Sequence, residues 1–127
     1  MIPEIVIVNA DETQRRDLVQ ILEPRHYRAT SLDSLKRLEA YLRKKFCLAV
    51  LIDLDNLPAD QRFFKNLKKM HPDVCILGLS ERPFHPELEE AISRHFFACI
   101  SKPVDPDEIF FLLNSIPEQP QSRQHID

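Results

Sequence analysis

The chain has 127 residues, one glycine, ten prolines and a formal net charge of −3 at pH 7. This length holds one domain with a hydrophobic core and leaves no room for a second of full size, and the mild acidity argues against a general nucleic-acid or membrane-surface binder. Average usage of about 7% would give about nine glycines, so the lone Gly78 excludes the glycine-rich loops that cradle nucleotide phosphates.

The apolar pattern alternates between short continuous runs and segments of helical spacing. Residues 5–8 predict a buried strand, followed by the polar turn Asn9-Ala10-Asp11. Residues 12–22 predict a helix with Leu18, Ile21 and Leu22 on one face. Residues 26–29 are polar enough for an edge strand. A helix over 33–44, capped by Asp33, would bury Leu35, Leu38, Tyr41 and Leu42. Residues 47–52 form the next strand run and lead into Asp53. A helix over 60–70, capped by Asp60, would bury Phe63, Leu67 and Met70 and turn Arg62, Lys65, Lys68 and Lys69 to solvent. The strand run 74–79 contains Gly78, where a missing side chain makes room for packing, and is followed by Ser80. The proline-bracketed loop 81–86 offers Phe84 as an apolar anchor. Residues 86–96 predict a helix with Leu88, Ala91, Ile92 and His95 or Phe96 inward. The last strand, 97–100, runs into Lys102-Pro103, and a helix over 105–116, capped by Asp105 with Pro106 in its first turn, would bury Ile109, Leu112, Leu113 and Ile116. These elements make one domain over residues 1–116, and 117–127 is a flexible tail rich in Pro, Gln and Ser.

No apolar run reaches the roughly 18 residues of a membrane span, and no leader pattern opens the chain. Cys47, Cys75 and Cys99, an odd set without a CxxC pair, fit a reducing cytoplasm and the role of small buried hydrophobes. The histidines lack metal-ligand spacing.

Five strands alternating with five helices predict a parallel sheet covered on both faces, with its chemistry beyond the carboxyl ends of the strands. The residues there are Asn9, Ala10 and Asp11, then Asp53 and Asp55, then Ser80, then Lys102. A carboxylate can attack a phosphoryl group to form an acyl phosphate. An ammonium and a hydroxyl donor then pair with the phosphoryl oxygens.

On these residues the chain resembles the receiver domain of two-component response regulators over roughly residues 4–116. The resemblance rests on Ile5-Val6-Ile7-Val8, on Val50-Leu51-Ile52-Asp53 with Pro58 soon after, on Ser80 and on Lys102-Pro103. It implies an α/β, flavodoxin-like fold with a five-stranded sheet in order 2-1-3-4-5. It implies Asp53 as phosphoacceptor, with Asp55 as the alternative, Ser80 as switch hydroxyl and Lys102 as the phosphate-pairing lysine. The family's acidic pair after the first strand binds magnesium. Here those positions read Asn9 and Ala10, which leaves a degenerate metal site with a weak magnesium position at Asp11 and Asp53. The family's phosphoacceptor stands four residues before its proline, whereas Asp53 stands one further from Pro58. The aromatic switch position falls on Cys99, and Glu81 replaces the usual small residue after the hydroxyl.

The expected function is that of an atypical, stand-alone cytoplasmic receiver in phosphorelay signal transduction, a signalling module rather than an enzyme. Its partners would be a sensor histidine kinase or a downstream signalling protein. Phe84, Phe110 and Phe111 form the expected partner face, which would also support a homodimer. The first alternative is a phosphorylation-independent interaction module on the same fold. The second rests on Leu51-Ile52-Asp53-Leu54-Asp55-Asn56, which resembles the first motif of haloacid-dehalogenase phosphatases and would make Asp53 the nucleophile and Asp55 the general acid.

Overall fold

Residues 2–117 are described here in a computed structural model, and the tail expected over 117–127 lies, from residue 118 on, outside the described residues. Strand and helix alternate as β1 (Glu4–Val8), α1 (Glu12–Leu22), β2 (Arg28–Leu32), α2 (Leu35–Lys44), β3 (Ala49–Asp53), α3 (Gln61–Met70), β4 (Cys75–Ser80), α4 (Glu89–His95), β5 (Phe96–Ser101) and α5 (Pro106–Asn114). The strands form one parallel sheet in the order β2-β1-β3-β4-β5, the flavodoxin-like topology expected.

The near-continuous apolar runs follow from burial on both faces. Strand alternation sends Val6, Val8, Val50, Ile52 and Ile76 to one side, where Leu38, Phe64, Leu67 and Ala91 from α2, α3 and α4 cover them. Ile5, Ile7, Leu51, Leu77 and Leu79 go to the other side, under Leu18 and Leu22 of α1 and Ile109 and Leu113 of α5. Glu4 ties three elements together, because its carboxylate accepts from the hydroxyls of Thr30 on β2 and Tyr41 on α2. Burial, and then this carboxylate, push the Tyr41 hydroxyl up to about 12.

Several local expectations are corrected. The cap of α2 is Ser34, whose hydroxyl accepts from the Arg37 N–H at 3.2 Å, while Asp33 pairs with the Arg37 side chain at 3.3 Å. Strand β2 starts at Arg28, because His26 sits at φ 70° and closes a 3₁₀ turn over Glu23–Arg25. The helix expected over 86–96 divides into a 3₁₀ turn, Pro86–Leu88, and α4, and β5 begins directly after it. In α3 Phe64 is buried together with the expected Leu67, packed edge-on against Phe63 and Phe96 at 5.3 and 4.7 Å, whereas Met70, the last helical residue, is exposed. Lys68 leaves the solvated face, since its ammonium donates to the carbonyls of Pro72 and Val74. Cys99 is exposed and Cys75 half-buried, which leaves Cys47 as the one fully buried thiol. The cause at Cys99 is the register of β5. Ile76 pairs with Phe96 but Leu77 with Ala98, so Phe97 is an extra, bulged residue; after it Ala98 and Ile100 turn to the core and Cys99 to the exposed face of this edge strand.

Gly78 does what its place in the strand predicts. A Cβ there would lie 2.7 Å from the Phe96 ring and 2.9 Å from a Leu54 methyl group, and Phe96 is itself held by Phe64. Gly78→Ala is expected to lower the unfolding free energy by about 1–3 kcal/mol through overpacking. Urea unfolding checks this, and the double variant with Phe96→Leu should lose less than the sum of the singles.

Candidate functional site

The carboxyl ends of β3, β4 and β5 meet because these strands are sheet neighbours. Asp53, the last residue of β3, pairs in register with Leu79, one residue before Ser80 ends β4. The Lys102 N–H donates to the Ser80 carbonyl at 2.9 Å, which carries the ladder one step past β5 and sets the lysine beside its neighbours.

Asp53 has no exposed surface. A carboxylate taken out of water needs a counter-charge and hydrogen bonds to its remaining lone pairs. Lys102 Nζ supplies the charge, 2.5 Å from Oδ1. The Asn56 N–H donates to Oδ2 at 2.9 Å, and the Asp55 N–H lies 3.4 Å from Oδ1. The aspartate thus closes an Asx-type turn on its own loop, and this turn takes up the residue that separates Asp53 from the family's spacing to Pro58.

The second carboxylate of the loop turns inward too. Asp55 Oδ1 accepts from the Ser80 hydroxyl at 3.0 Å, and Oδ2 accepts from the Glu81 N–H at 3.0 Å and from Lys102 Nζ at 2.9 Å. Burial raises the Asp55 pKa, but the Lys102 ammonium, the Glu81 N–H and the Ser80 hydroxyl outweigh it and hold the carboxyl below its ordinary range. For Lys102, burial acts to lower the pKa, and the hydrogen bonds it donates to Asp53 and Asp55 overcome it, leaving the ammonium more basic than usual.

Proton bookkeeping fixes the direction of the Ser80 hydroxyl. The Arg82 guanidinium, a donor only, lies 2.6 Å from His85 Nδ1, so Nδ1 accepts and the ring proton sits on Nε2. Nε2, 2.5 Å from Ser80 Oγ, therefore donates to it, as does the Arg82 N–H at 2.9 Å. The single Ser80 proton is left for Asp55 Oδ1 at 3.0 Å and the Arg82 carbonyl at 3.1 Å, and the charged acceptor is the stronger. The guanidinium also holds Glu87 at 2.5 Å, which braces the loop from its far side. This arrangement makes His85 a support for the hydroxyl rather than a base that could activate it.

After β1, Asn9 is fully buried. Its Nδ2 donates to Gln14 Oε1, its Oδ1 accepts from the Asp11 N–H, and its carbonyl accepts from the Arg15 guanidinium at 2.7 Å. Asp11 is exposed and caps α1 by accepting from the Gln14 N–H, and Ala10 has no donor atom to offer. Among the described residues no group of three or more His, Cys, Asp or Glu side chains is placed to hold a metal ion. A magnesium ion prefers several free carboxylate and water oxygens. Here Asp53 and Asp55 face an ammonium and the Asn9 turn is closed on itself, so the site offers a magnesium ion fewer free oxygens than it prefers.

Of the residues singled out from sequence, Asp53, Asp55, Ser80 and Lys102 come together, and Asn9, Ala10 and Asp11 form a separate turn. Phe111 and Phe84 are 71% and 61% exposed. Phe110 is corrected: it is buried, stacked on Tyr27 with ring centroids 6.0 Å apart and covered by the Arg25 guanidinium at 4.5 Å. The Glu81 backbone donor and the Arg82–His85 brace carry no sequence signal beyond their nearness to Ser80.

The sequence profile of the response regulator receiver domain matches residues 5–114. The signal receiver domain of an HD domain-containing protein from Pseudomonas fluorescens Pf-5 superposes with a TM-score of 0.80 at 20% identity, covering all of both chains. A CheY-like response regulator receiver domain from Methylobacillus flagellatus gives 0.79 at 22% identity, over 92% of this chain and 100% of its own. The beryllofluoride-activated receiver domain dimer of NtrC4 gives 0.78 at 18% identity, over 87% of this chain and 93% of its own. None of the curated proteins matches the chain.

The depressed Asp55 pKa has a sign that can be measured. A carboxyl held lower in the folded than in the unfolded chain contributes stability that is present above its ordinary pKa of about 3.9 and is lost as pH falls through the folded value. The stability gap between the wild type and Asp55→Asn is expected to be constant near neutrality and to narrow below about pH 4. Urea-unfolding midpoints taken along an acid series check this.

Proposed function

We infer, since the chain belongs to the response regulator receiver domain family, that Asp53 is the phosphoacceptor of a domain acting in phosphorelay signal transduction. The observation that carries this reading is the buried Asp53 carboxylate with Lys102 Nζ at 2.5 Å and the Ser80 hydroxyl in the same ring. In the transfer, an Asp53 carboxylate oxygen attacks the phosphorus of a phosphohistidine on a sensor kinase. The new P–O bond forms as the P–N bond breaks, and the imidazole leaves with the bonding pair. Lys102 then pairs with the phosphoryl charge and Ser80 donates to a phosphoryl oxygen. A magnesium ion bound at such a site would neutralise phosphoryl charge.

Asp53 is preferred to Asp55 because it ends the strand and is aimed by two loop N–H groups. The phosphatase alternative needs Asp55 as a general acid, protonated at working pH, and its depressed pKa points the other way. Three free thiols support a reducing cytoplasm as the setting, and among the described residues no helix is long and apolar enough to cross a membrane.

A partner approaches from two sides. A groove lined by Asp17, Leu18, Ile21, Glu81, Lys102 and Val104 opens beside the lysine and is the donor's approach. The exposed Phe111 on α5 and Phe84 in the loop after β4 are apolar anchors for a second copy or an output protein, and the receiver of NtrC4 is a dimer.

Acetyl phosphate with magnesium is expected to add a single phosphoryl group by intact mass, lost in Asp53→Ala and kept in Asp55→Ala. Addition that survives Asp53→Ala would move the acceptor elsewhere. Phe111→Glu is expected to lower the mass measured by light scattering, or to abolish capture of the output partner, without changing the phosphorylation rate. Unchanged mass and unchanged capture would remove α5 from the interface.

A further inference from the structure

The phosphoacceptor reading assigns Asp53, Ser80 and Lys102 but gives Asp55 no task. A phosphoryl group on Asp53 needs donors for its oxygens, and a hydroxyl, a backbone N–H and an ammonium are the donors gathered at this end of the sheet. All three donate to Asp55, Ser80 Oγ at 3.0 Å, the Glu81 N–H at 3.0 Å and Lys102 Nζ at 2.9 Å, the ammonium being shared with Asp53. The carboxylate therefore sits where a tetrahedral anion would find its hydrogen bonds, and the Arg82–His85 brace turns the Ser80 proton toward it.

Burial supplies a second, independent observation. Asp53 has no exposed surface, whereas the Asp55 and Lys102 side chains keep 16% and 11% of theirs. Asp53 is closed to water while its two charged neighbours are not, so a donor that reaches Asp53 has to open the contacts Asp55 makes with Lys102, Ser80 and Glu81. Charge forbids both occupants at once. A phosphoryl group adds nearly two negative charges beside an ionised carboxylate, with one ammonium to share.

We propose that Asp55 is a resident carboxylate surrogate for the phosphoryl group. It fills the anion seat formed by Ser80, Glu81 and Lys102, holds the loops after β3, β4 and β5 in their anion-bound arrangement without phosphorylation, and screens Asp53 from phosphodonors. The seat as an anion site stands on the geometry alone, and the screening of Asp53 rests on the phosphoacceptor reading above.

Two measurements on the full chain separate these parts. Inorganic phosphate is titrated against ¹⁵N-labelled wild type, Asp55→Ala and Asp55→Asn while the Glu81 amide resonance is followed. The expected result is a saturable shift in Asp55→Ala, at a phosphate concentration where the wild type does not respond. Asp55→Asn, which keeps one acceptor oxygen without the charge, should fall between them and serves where the alanine variant does not fold. Equal responses in all three, or none in any, overturn the surrogate. Acetyl phosphate labelling is then timed by intact mass, and Asp55→Ala is expected to label at least tenfold faster than the wild type, with the label lost in Asp53→Ala/Asp55→Ala. Equal labelling rates in the wild type and Asp55→Ala overturn the screening role. A Glu81 response in Asp55→Ala without any labelling leaves the surrogate standing and removes Asp53 as the acceptor.

Discussion

A carboxylate without solvent exposure, joined to an ammonium across the ends of two strands, is the constraint on which this end of the molecule depends. A carboxylate buried in the sheet needs a counter-charge, and Lys102 reaches Asp53 because β4 stands between β3 and β5 and its last carbonyl accepts from the lysine N–H. From that pair the rest is drawn in. The loop after β3 folds back so that two of its N–H groups can serve Asp53. Asp55 then shares the ammonium, and Ser80 and Glu81 satisfy the oxygens Asp55 has left. Two anions, one cation and a ring of neutral donors settle as a unit, and the strand order has to be correct before any of these contacts can form.

Much of this is legible in the sequence, and the reason is geometric. Continuous apolar runs mark strands buried on two faces, and helical spacing between them marks the covering layers. In a doubly wound sheet the residue at each strand end therefore lies at the candidate site by position alone, and Asp53, Ser80 and Lys102 are legible in that way. The side chains that turn back from the loops are less legible. Asp55 reads as a spare acid or a competing nucleophile, and only its contacts show that it accepts from three neighbours. Glu81 enters through its backbone, which no residue type announces. Phe110 and Phe111 are adjacent and chemically identical, and the helix phase that buries one under Arg25 and Tyr27 and exposes the other is not resolved by a run of five apolar residues.

The turn after β1 shows how the missing acids are accommodated. Asn9 is buried and neutral, and it meets its hydrogen-bonding needs with Gln14 and the Asp11 N–H inside its own turn. Arg15 brings a fixed positive charge to the Asn9 carbonyl. Where a divalent ion would draw a turn and a loop together, this chain uses a closed amide turn on one side and an ammonium on the other. Both of these devices are covalently attached parts of the chain.

The bulge at Phe97 has a consequence for how copies of this domain can meet. A flat edge strand offers its free N–H and C=O groups to any extended segment that drifts alongside, and the outcome is open-ended sheet growth. The extra residue in β5 breaks the regular spacing of those groups and bends the strand at the point where its register with β4 shifts. A neighbouring strand cannot stay in step along such an edge. The bulge therefore makes this edge a poorer template for strand addition than a flat strand of the same length.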